Sequence, residues 1–157
     1  MHEELTLRLA TVDDMPTLVR FRQAMWDDMG RTDGMDMVAH NAAFTQWVQD
    51  AMAAGTYYTW VLENTEGQIV ACAGAWLTKS PPTPHDATRY KAHIMNVYTD
   101  RAYRRRGLAK RMMQVILDWC RAEGIQTVFL HASDEGRSLY EKFGFRSGSE
   151  MVLKLID

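Results

Sequence analysis

The spacing of apolar residues changes repeatedly along this chain, and each change marks an element. Leu5, Leu7 and Leu9 alternate with Thr6 and Arg8, which predicts a first strand. Thr11-Val12-Asp13-Asp14 reads as a capping-box helix start, and Pro16 is tolerated in a first turn. Leu18, Phe21, Met25 and Met29 give that helix a buried stripe, and Gly30 closes it. A second helix is predicted from about Met35 to Ala54, with Phe44, Trp47, Val48 and Ala51 on one face. Tyr57, Tyr58, Trp60 and Val61 read as a strand, Asn64-Thr65-Glu66-Gly67 as a hairpin turn, and Gln68 to about Leu77 as the returning strand. Three prolines between Ser80 and Asp86 impose a surface loop. A strand follows from about Lys91 to Thr99, then a helix from Leu108 to Glu123 whose apolar residues fall at Leu108, Met112, Val115, Ile116, Trp119 and Cys120. Thr127–His131 is a buried-type strand, Ser133 or Asp134 caps a short helix through Phe143, and Phe145 to about Ile156 is predicted as a last strand.

The resulting order is β-α-α-β-β-β-α-β-α-β. It implies an α/β (mixed α+β) fold with a central mixed, mostly antiparallel sheet and helices on both faces. With 157 residues, no internal repeat and no linker, the chain is expected to form a single domain over residues 1–157. Apolar residues make up 46% of it, an ordinary globular composition. The net charge of −2 argues against nucleic acid as the main partner, so the cluster Arg104-Arg105-Arg106 with Lys110 and Arg111 is read as local, aimed at a small anionic ligand. Met1-His2-Glu3-Glu4 lacks a signal-peptide core, and no apolar run is long enough to cross a bilayer. With only Cys72 and Cys120, the expectation is a soluble cytoplasmic protein with reduced thiols and no membrane partner. The histidines and cysteines show no metal-ligand spacing, so no metal is expected.

The chemistry concentrates in residues 96–111. A strand runs into a short basic turn with one glycine, and the turn opens an amphipathic helix. A helix N-terminus offers unpaired N–H groups and a partial positive charge. With Gly107 admitting close approach, such a turn cradles phosphate oxygens. Here the sequence resembles the GNAT superfamily of acetyl-coenzyme A-dependent N-acetyltransferases, whose pyrophosphate loop reads [Gln/Arg]-x-x-Gly-x-[Gly/Ala]. Arg104, Gly107 and Ala109 occupy the three fixed positions. The element order also matches that fold over nearly the whole chain. The resemblance implies acetyl-coenzyme A as cosubstrate. Its diphosphate would be held by Arg104, Arg105, Arg106, Gly107, Leu108, Ala109 and Lys110. Its pantetheine arm would lie in a gap beside the strand, against the backbone of Val97, Tyr98 and Thr99.

A second stretch, His131 to Phe145, looks like the family's other signature, a short helix carrying Leu-Tyr-x-x-x-Gly-Phe, here Leu139-Tyr140 and Gly144-Phe145. Ser133, Asp134 and Ser138 are the candidates for holding the pantetheine, with Ser133 the choice. Acetyl transfer from a thioester to an amine needs a neutral amine, a stabilised carbonyl oxygen, a protonated leaving thiolate and alignment of both substrates. The resemblance assigns Tyr140 to the thiolate, since a phenol of pKa ~10 can protonate a thiolate whose thiol has a pKa of about 8.5 or higher. A backbone N–H near Val97 would serve the oxygen. His93, upstream on the same strand, is the candidate general base, directly or through water. Water alone, His40, His85 and His131 are the alternatives.

The acceptor is less defined. Trp26, Asp27, Asp28, Met29, Asp33, Asp36, Trp47, Trp76 and the proline loop fall where the family sets acceptor specificity. Trp26 and Trp76 are taken as substrate contacts, and acids beside aromatics would suit a small cationic amine. Peptide amines and longer acyl groups stay open, as does a homodimer. Two other classes compete: an acyl-coenzyme A-binding sensor or docking module without catalysis, which Tyr140 disfavours, and a nucleic-acid-binding domain, which the net charge disfavours.

Overall fold

The structure, a computed structural model, describes residues 3–156. Met1 and His2 of the polar start, and Asp157, lie outside the described residues. In chain order the elements are β1 (Thr6–Leu9), a 3-10 turn (Val12–Asp14), α1 (Met15–Asp28), α2 (Met37–Ala53), β2 (Tyr57–Glu63), β3 (Ile69–Lys79) and β4 (Tyr90–Thr99). A 3-10 turn (Arg101–Tyr103), α3 (Leu108–Ala122), β5 (Val128–Phe129) and α4 (Asp134–Lys142) follow. The five strands form one sheet in the order β1-β2-β3-β4-β5. The first three pairings are antiparallel and β4–β5 is parallel, so the sheet is mixed and mostly antiparallel, as the element order predicts.

The capping box at Thr11 forms as expected, with Asp14 accepting from the Thr11 amide at 2.8 Å. It opens the 3-10 turn, and α1 begins one residue later. Asp14 is also held by both terminal nitrogens of Arg8 at 2.8 and 2.9 Å, which ties the turn to β1.

The sheet carries helices on both faces. α3 buries Leu108, Met112, Met113, Ile116 and Cys120 against one face, where Ala71, Ala73, Ala75 and Ala92 present small side chains. Burying a side chain the size of Ile116 contributes roughly 1.5–3 kcal/mol, and the alanines let the helix sit close enough to gain it. On the other face α2 buries Phe44, Val48 and Ala51 beside Tyr57, and α1 buries Leu18 and Phe21 beside Val61 and Cys72. The period of two along β4 accounts for the division: Ala92 and Ile94 meet α3, while Met95 packs with the α2 cluster.

The C-terminal stretch departs from the sequence expectation. Residues 145–156 form no strand, and Met151, Val152, Leu153, Leu155 and Ile156 stand 74–94% exposed. A strand needs an edge to pair with as well as a suitable pattern. The edge beyond β4 is β5, only two residues long, too short a template for the segment. β5 itself is shorter than the predicted Thr127–His131, because β4 and β5 part after two register pairs.

Candidate active site

The site is built where β4 leaves its neighbours. On the β3 side Gly74 faces Met95 and Cys72 faces Tyr98, so Asn96 and Val97 together stand opposite the single residue Ala73. This is a β-bulge, and Asn96 takes the left-handed conformation at φ 57°. Asparagine adopts that region more readily than other side chains with a Cβ. On the β5 side the register comprises Ala92–Val128 and His93–Phe129, and beyond His93 the strands diverge. Among the described residues no strand pairs with residues 94–99 of β4 on that side, so this backbone edge is left open beside the bulge.

A buried network fixes the bulge. Asn96 donates through Nδ2 to the Tyr57 hydroxyl at 2.9 Å and accepts through Oδ1 from Arg22 Nη1. The Asn96 carbonyl accepts from Cys72 Sγ at 3.3 Å. Gly74 is required here: a Cβ on it would sit 2.3 Å from the Tyr57 hydroxyl, so the missing side chain is the slot through which that phenol reaches Asn96. Burial pushes the Cys72 thiol up to about 12 and the Cys120 thiol up to about 11. Both stay protonated at neutral pH, which removes them as nucleophiles.

The turn after β4 is shaped for an anion. Arg105 (φ 64°) and Gly107 (φ 73°) are both left-handed, and Gly107 precedes the first residue of α3. The first amide at the start of this helix to find a backbone acceptor is that of Arg111, on the Gly107 carbonyl at 3.1 Å. Among the described residues the amides of 105–110 have no backbone acceptor. Arg105, Arg106 and Lys110 are exposed around them, and Leu108 is buried as the anchor of the helix. Arg104 is turned elsewhere: it donates to the Thr99 carbonyl at 3.0 Å and to Asp28 of α1 at 2.8 Å, and lies over the Tyr98 ring. Arg104 and then Arg101 hold the Asp28 carboxyl below the usual carboxylate range. Arg106 lies over the Tyr103 ring and donates to the Ala102 carbonyl at 3.2 Å.

His93 and Tyr140 belong to opposite sides of the sheet. His93 pairs with Trp76 across β3, stacks on Phe129 at 4.6 Å and meets His131 edge-on at 5.2 Å. Trp76 packs with Trp47 and the α2 cluster, so His93 lies on the α1–α2 face. Burial lowers the His93 pKa, the neighbouring His131 lowers it further, and Glu150 opposes both. The imidazole is thus neutral and able to accept a proton near pH 7. Tyr140 instead packs against the cluster on the α3 face, and burial raises its pKa. Gly136 makes room for it, since a Cβ there would lie 2.8 Å from the Tyr140 ring.

Other expected residues are occupied differently. Ser133 caps α4, its hydroxyl oxygen accepting from the Gly136 amide at 3.1 Å, and so retains only its own proton to donate. Trp26 is half-buried on α1 with its indole N–H sealed and unpartnered among the described residues. Of the acids read as suited to a cation, Asp28 is held by Arg101 and Arg104, Asp27 accepts from Thr32, and Asp36 caps α2 through the Ala39 amide. His85 is exposed in the proline loop. Asn96 and Arg22 escape sequence reading as site residues. The one signal was an asparagine inside an apolar strand, a position that calls for a special backbone conformation.

Residues 18–145 match the model of the acetyltransferase (GNAT) family. Two curated relatives are each named glucosamine 6-phosphate N-acetyltransferase: one from Arabidopsis thaliana, 32% identical over 95 residues, and one from Trypanosoma brucei brucei, 36% identical over 59 residues. The first match covers 60% of this chain and 62% of that relative, the second 38% and 40%, so the matched stretch spans under two thirds of either relative. Among solved structures, a GCN5-related N-acetyltransferase from Ralstonia eutropha JMP134 superimposes with a TM-score of 0.89 at 29% identity, covering 97% of this chain and 99% of its own. An acetyltransferase from Clostridium acetobutylicum, solved with acetyl-CoA, gives 0.88 at 27% identity, with 96% of each chain covered. The bulged fourth strand, the open amides that follow it and the matched residues 18–145 lead to one conclusion: this chain belongs to the acetyltransferase (GNAT) family.

Proposed function

We propose that this chain transfers an acetyl group from acetyl-coenzyme A to a primary amine of a small acceptor, with both substrates bound at once. The observation that carries this reading is the open backbone edge at the bulge of β4, which leads directly into a turn of backbone amides without acceptors. A diphosphate fits that turn: it would receive the amides of 105–110, including Gly107, Leu108 and Ala109, and the charges of Arg105, Arg106 and Lys110. Arg104 braces the turn against α1 through Asp28 and adds its charge from there. The pantetheine arm would run beside Val97, Tyr98 and Thr99, with Ser133 within the same region as a hydroxyl donor.

Acetyl-coenzyme A supplies the acetyl group and a thiol as leaving group. His93 takes a proton from the acceptor ammonium, freeing the lone pair that forms the new C–N bond, and the second proton leaves the nitrogen to water as the tetrahedral intermediate collapses to the amide. A backbone N–H near Val97 donates to the carbonyl oxygen as negative charge builds there. Tyr140 donates its phenolic proton to the sulfur as the C–S bond breaks, and water restores it. The burial that raises Tyr140 also disfavours a thiolate arising beside it, which keeps the transfer close to balanced. Trp76 backs His93 on the acceptor side, and Trp26 lines the approach from α1.

The test is thiol release from acetyl-coenzyme A against a panel of small amines. Saturable, amine-dependent release is expected. Coenzyme binding without amine-dependent release would instead make the chain a sensor. The same reading assigns one acetyltransferase domain to the chain and the cytoplasm as its compartment, where two thiols stay reduced. Beside that reading we propose a homodimer, with exposed Met151, Val152, Leu153, Leu155 and Ile156, interrupted by Lys154, as the contact. A monomer mass in sedimentation would overturn that assembly. No described helix is long and apolar enough to cross a membrane.

A further inference from the structure

The seam between α1 and α2 contains a charge without a counter-charge. Arg22 of α1 is half-buried, with its guanidinium 4.3 Å from the centre of the Phe44 ring and 5.4 Å from that of Trp26. Among the described residues no carboxylate forms an ion pair with it. Its Nη1 donates to Asn96 at the bulge, its Nε is sealed from solvent without an acceptor, and its Nη2 makes no hydrogen bond among the described residues. A guanidinium stays ionised in proteins, and a buried charge normally acquires a partner. Nor is Arg22 alone in lacking one. Trp26 Nε1, one helical turn along α1, is also sealed and unpartnered, as are Asn41 Oδ1 and His40 Nε2 on the facing helix. Asn41 is tied across the seam to Gln23, the residue after Arg22, at 2.7 Å. Of these unpartnered atoms, Arg22 Nε and Trp26 Nε1 are donors set close together, the guanidinium 5.4 Å from the centre of the indole.

We propose that Arg22 binds an anionic group of the amine acceptor, two oxygens of a carboxylate or of a phosphate, through the free Nε–Nη2 edge of its guanidinium. The inference rests on the acetyl-transfer reading above and assigns its acceptor class. Three observations converge on it. The Nε and Nη2 hydrogens point the same way along one edge, the fork that meets two oxygens side by side. The third nitrogen is anchored to Asn96, so the fork is fixed to the bulge where the acetyl carbon is to be delivered. Three of the four acids of α1 and the following connection are engaged, Asp28 by Arg101 and Arg104, Asp27 by Thr32 and Asp36 by the α2 N-terminus, which leaves exposed Asp33 as the fourth. Trp26 would add its indole N–H as a third donor to the anion. Because Nε is sealed, the anion reaches it as the side chains packed on the guanidinium, Phe44 and Trp26 among them, shift.

The experiment uses pairs of amines that differ only in the anion: amino acids against their amides, and glucosamine 6-phosphate against glucosamine. Each is assayed by thiol release with the wild type, Arg22→Gln and Arg22→Lys. The wild type is expected to favour one anionic member by about tenfold or more in kcat/KM, and the pair that shows it tells carboxylate from phosphate. Arg22→Gln should erase the preference by lowering turnover of the anionic member to that of its neutral twin. Arg22→Lys, which keeps the charge but loses the fork, should retain part of it. Equal use of both members, or a preference that survives in Arg22→Gln with its thermal unfolding intact, overturns the proposal. An independent arm follows the Arg22 Nε–H resonance by NMR, assigned by its loss in Arg22→Gln, while the same amines are added to the coenzyme A complex. A shift with an anionic member alone supports the assignment even without turnover, in which case the catalytic reading fails and the binding site stands. No shift with any anion removes the site, whatever the fate of the acetyl-transfer reading.

Discussion

The two ends of β4 solve different problems by different means. At its C-terminal end the turn from Arg104 to Lys110 offers backbone amides and exposed cations, groups that any solvated anion can reach. Around His93 and Asn96 the groups are side chains, half-buried or buried, and each depends on a partner from a distant part of the chain: Phe129, His131, Tyr57, Arg22. The first end is suited to holding a constant ligand through features shared by every such ligand. The second can be retuned one side chain at a time. On the proposed reading the coenzyme side would be general and the amine side particular to this chain.

Substitutions can break that division or sharpen it. The largest effect is expected from Tyr140→Phe, which should lower kcat by about 100-fold or more while KM for acetyl-coenzyme A changes by less than about threefold. Steady-state kinetics checks this, and an unchanged kcat would remove the phenol from the chemistry. His93→Ala comes next, with a drop in kcat of roughly tenfold near pH 7 and a flattened acid limb. Because burial and His131 both lower the His93 pKa, the wild-type limb should fall below the ordinary histidine value of about 6.5. The stability sign agrees: the unfolded chain binds this proton more readily. The contribution of neutral His93 is thus present above about pH 6.5 and is lost as pH falls through the lower folded value. A coenzyme affinity that changed in this variant would blur the two sides.

Gly107→Val should weaken coenzyme A binding by about tenfold, measured by calorimetry. A Cβ at Gly107 meets nothing within 4 Å, so the cost is the left-handed φ of 73°, about 1–2 kcal/mol for a β-branched residue, rather than crowding by the protein. Its pH profile should match the wild type. The smallest effect belongs to Asp28→Asn, which releases Arg104 and Arg101. Such exposed pairs contribute a few tenths of a kcal/mol, so denaturant midpoints should barely move and coenzyme affinity should change by less than about threefold. The little stability this carboxylate gives is present above its unfolded pKa of about 3.9 and is lost as pH falls through the lower folded value.

The same division decides what the amino-acid sequence discloses. The turn was legible because its determinants are local: the arginines, Gly107 at a left-handed position, and a helical period starting at Leu108. The helices and the hairpin were legible for the same reason. The bulge was not, because a run of apolar residues around Asn96 reads as uninterrupted strand, and only Tyr57, Arg22 and Gly74, from three other elements, make the left-handed asparagine stable there. The C-terminal stretch was misread in the opposite direction: Met151, Leu153 and Leu155 carry strand periodicity, yet pairing depends on an edge that residues near 130 do not extend far enough to provide. Arg104 illustrates a third case. Its type and position match the loop pattern, but its ion pair with Asp28 joins residues 76 apart in sequence.

The slot left by Gly74 constrains how this molecule can diverge. Residues 74 and 57 are partners in a single volume, so each sets what the other is allowed to be. A methyl group at 74 expels the phenol, and a smaller residue at 57 deprives the bulge of its brace. A lineage drifting at either position alone would lose the bend in β4 before reaching a compatible pair. Histories in which both changed almost together, or neither did, are the ones left open.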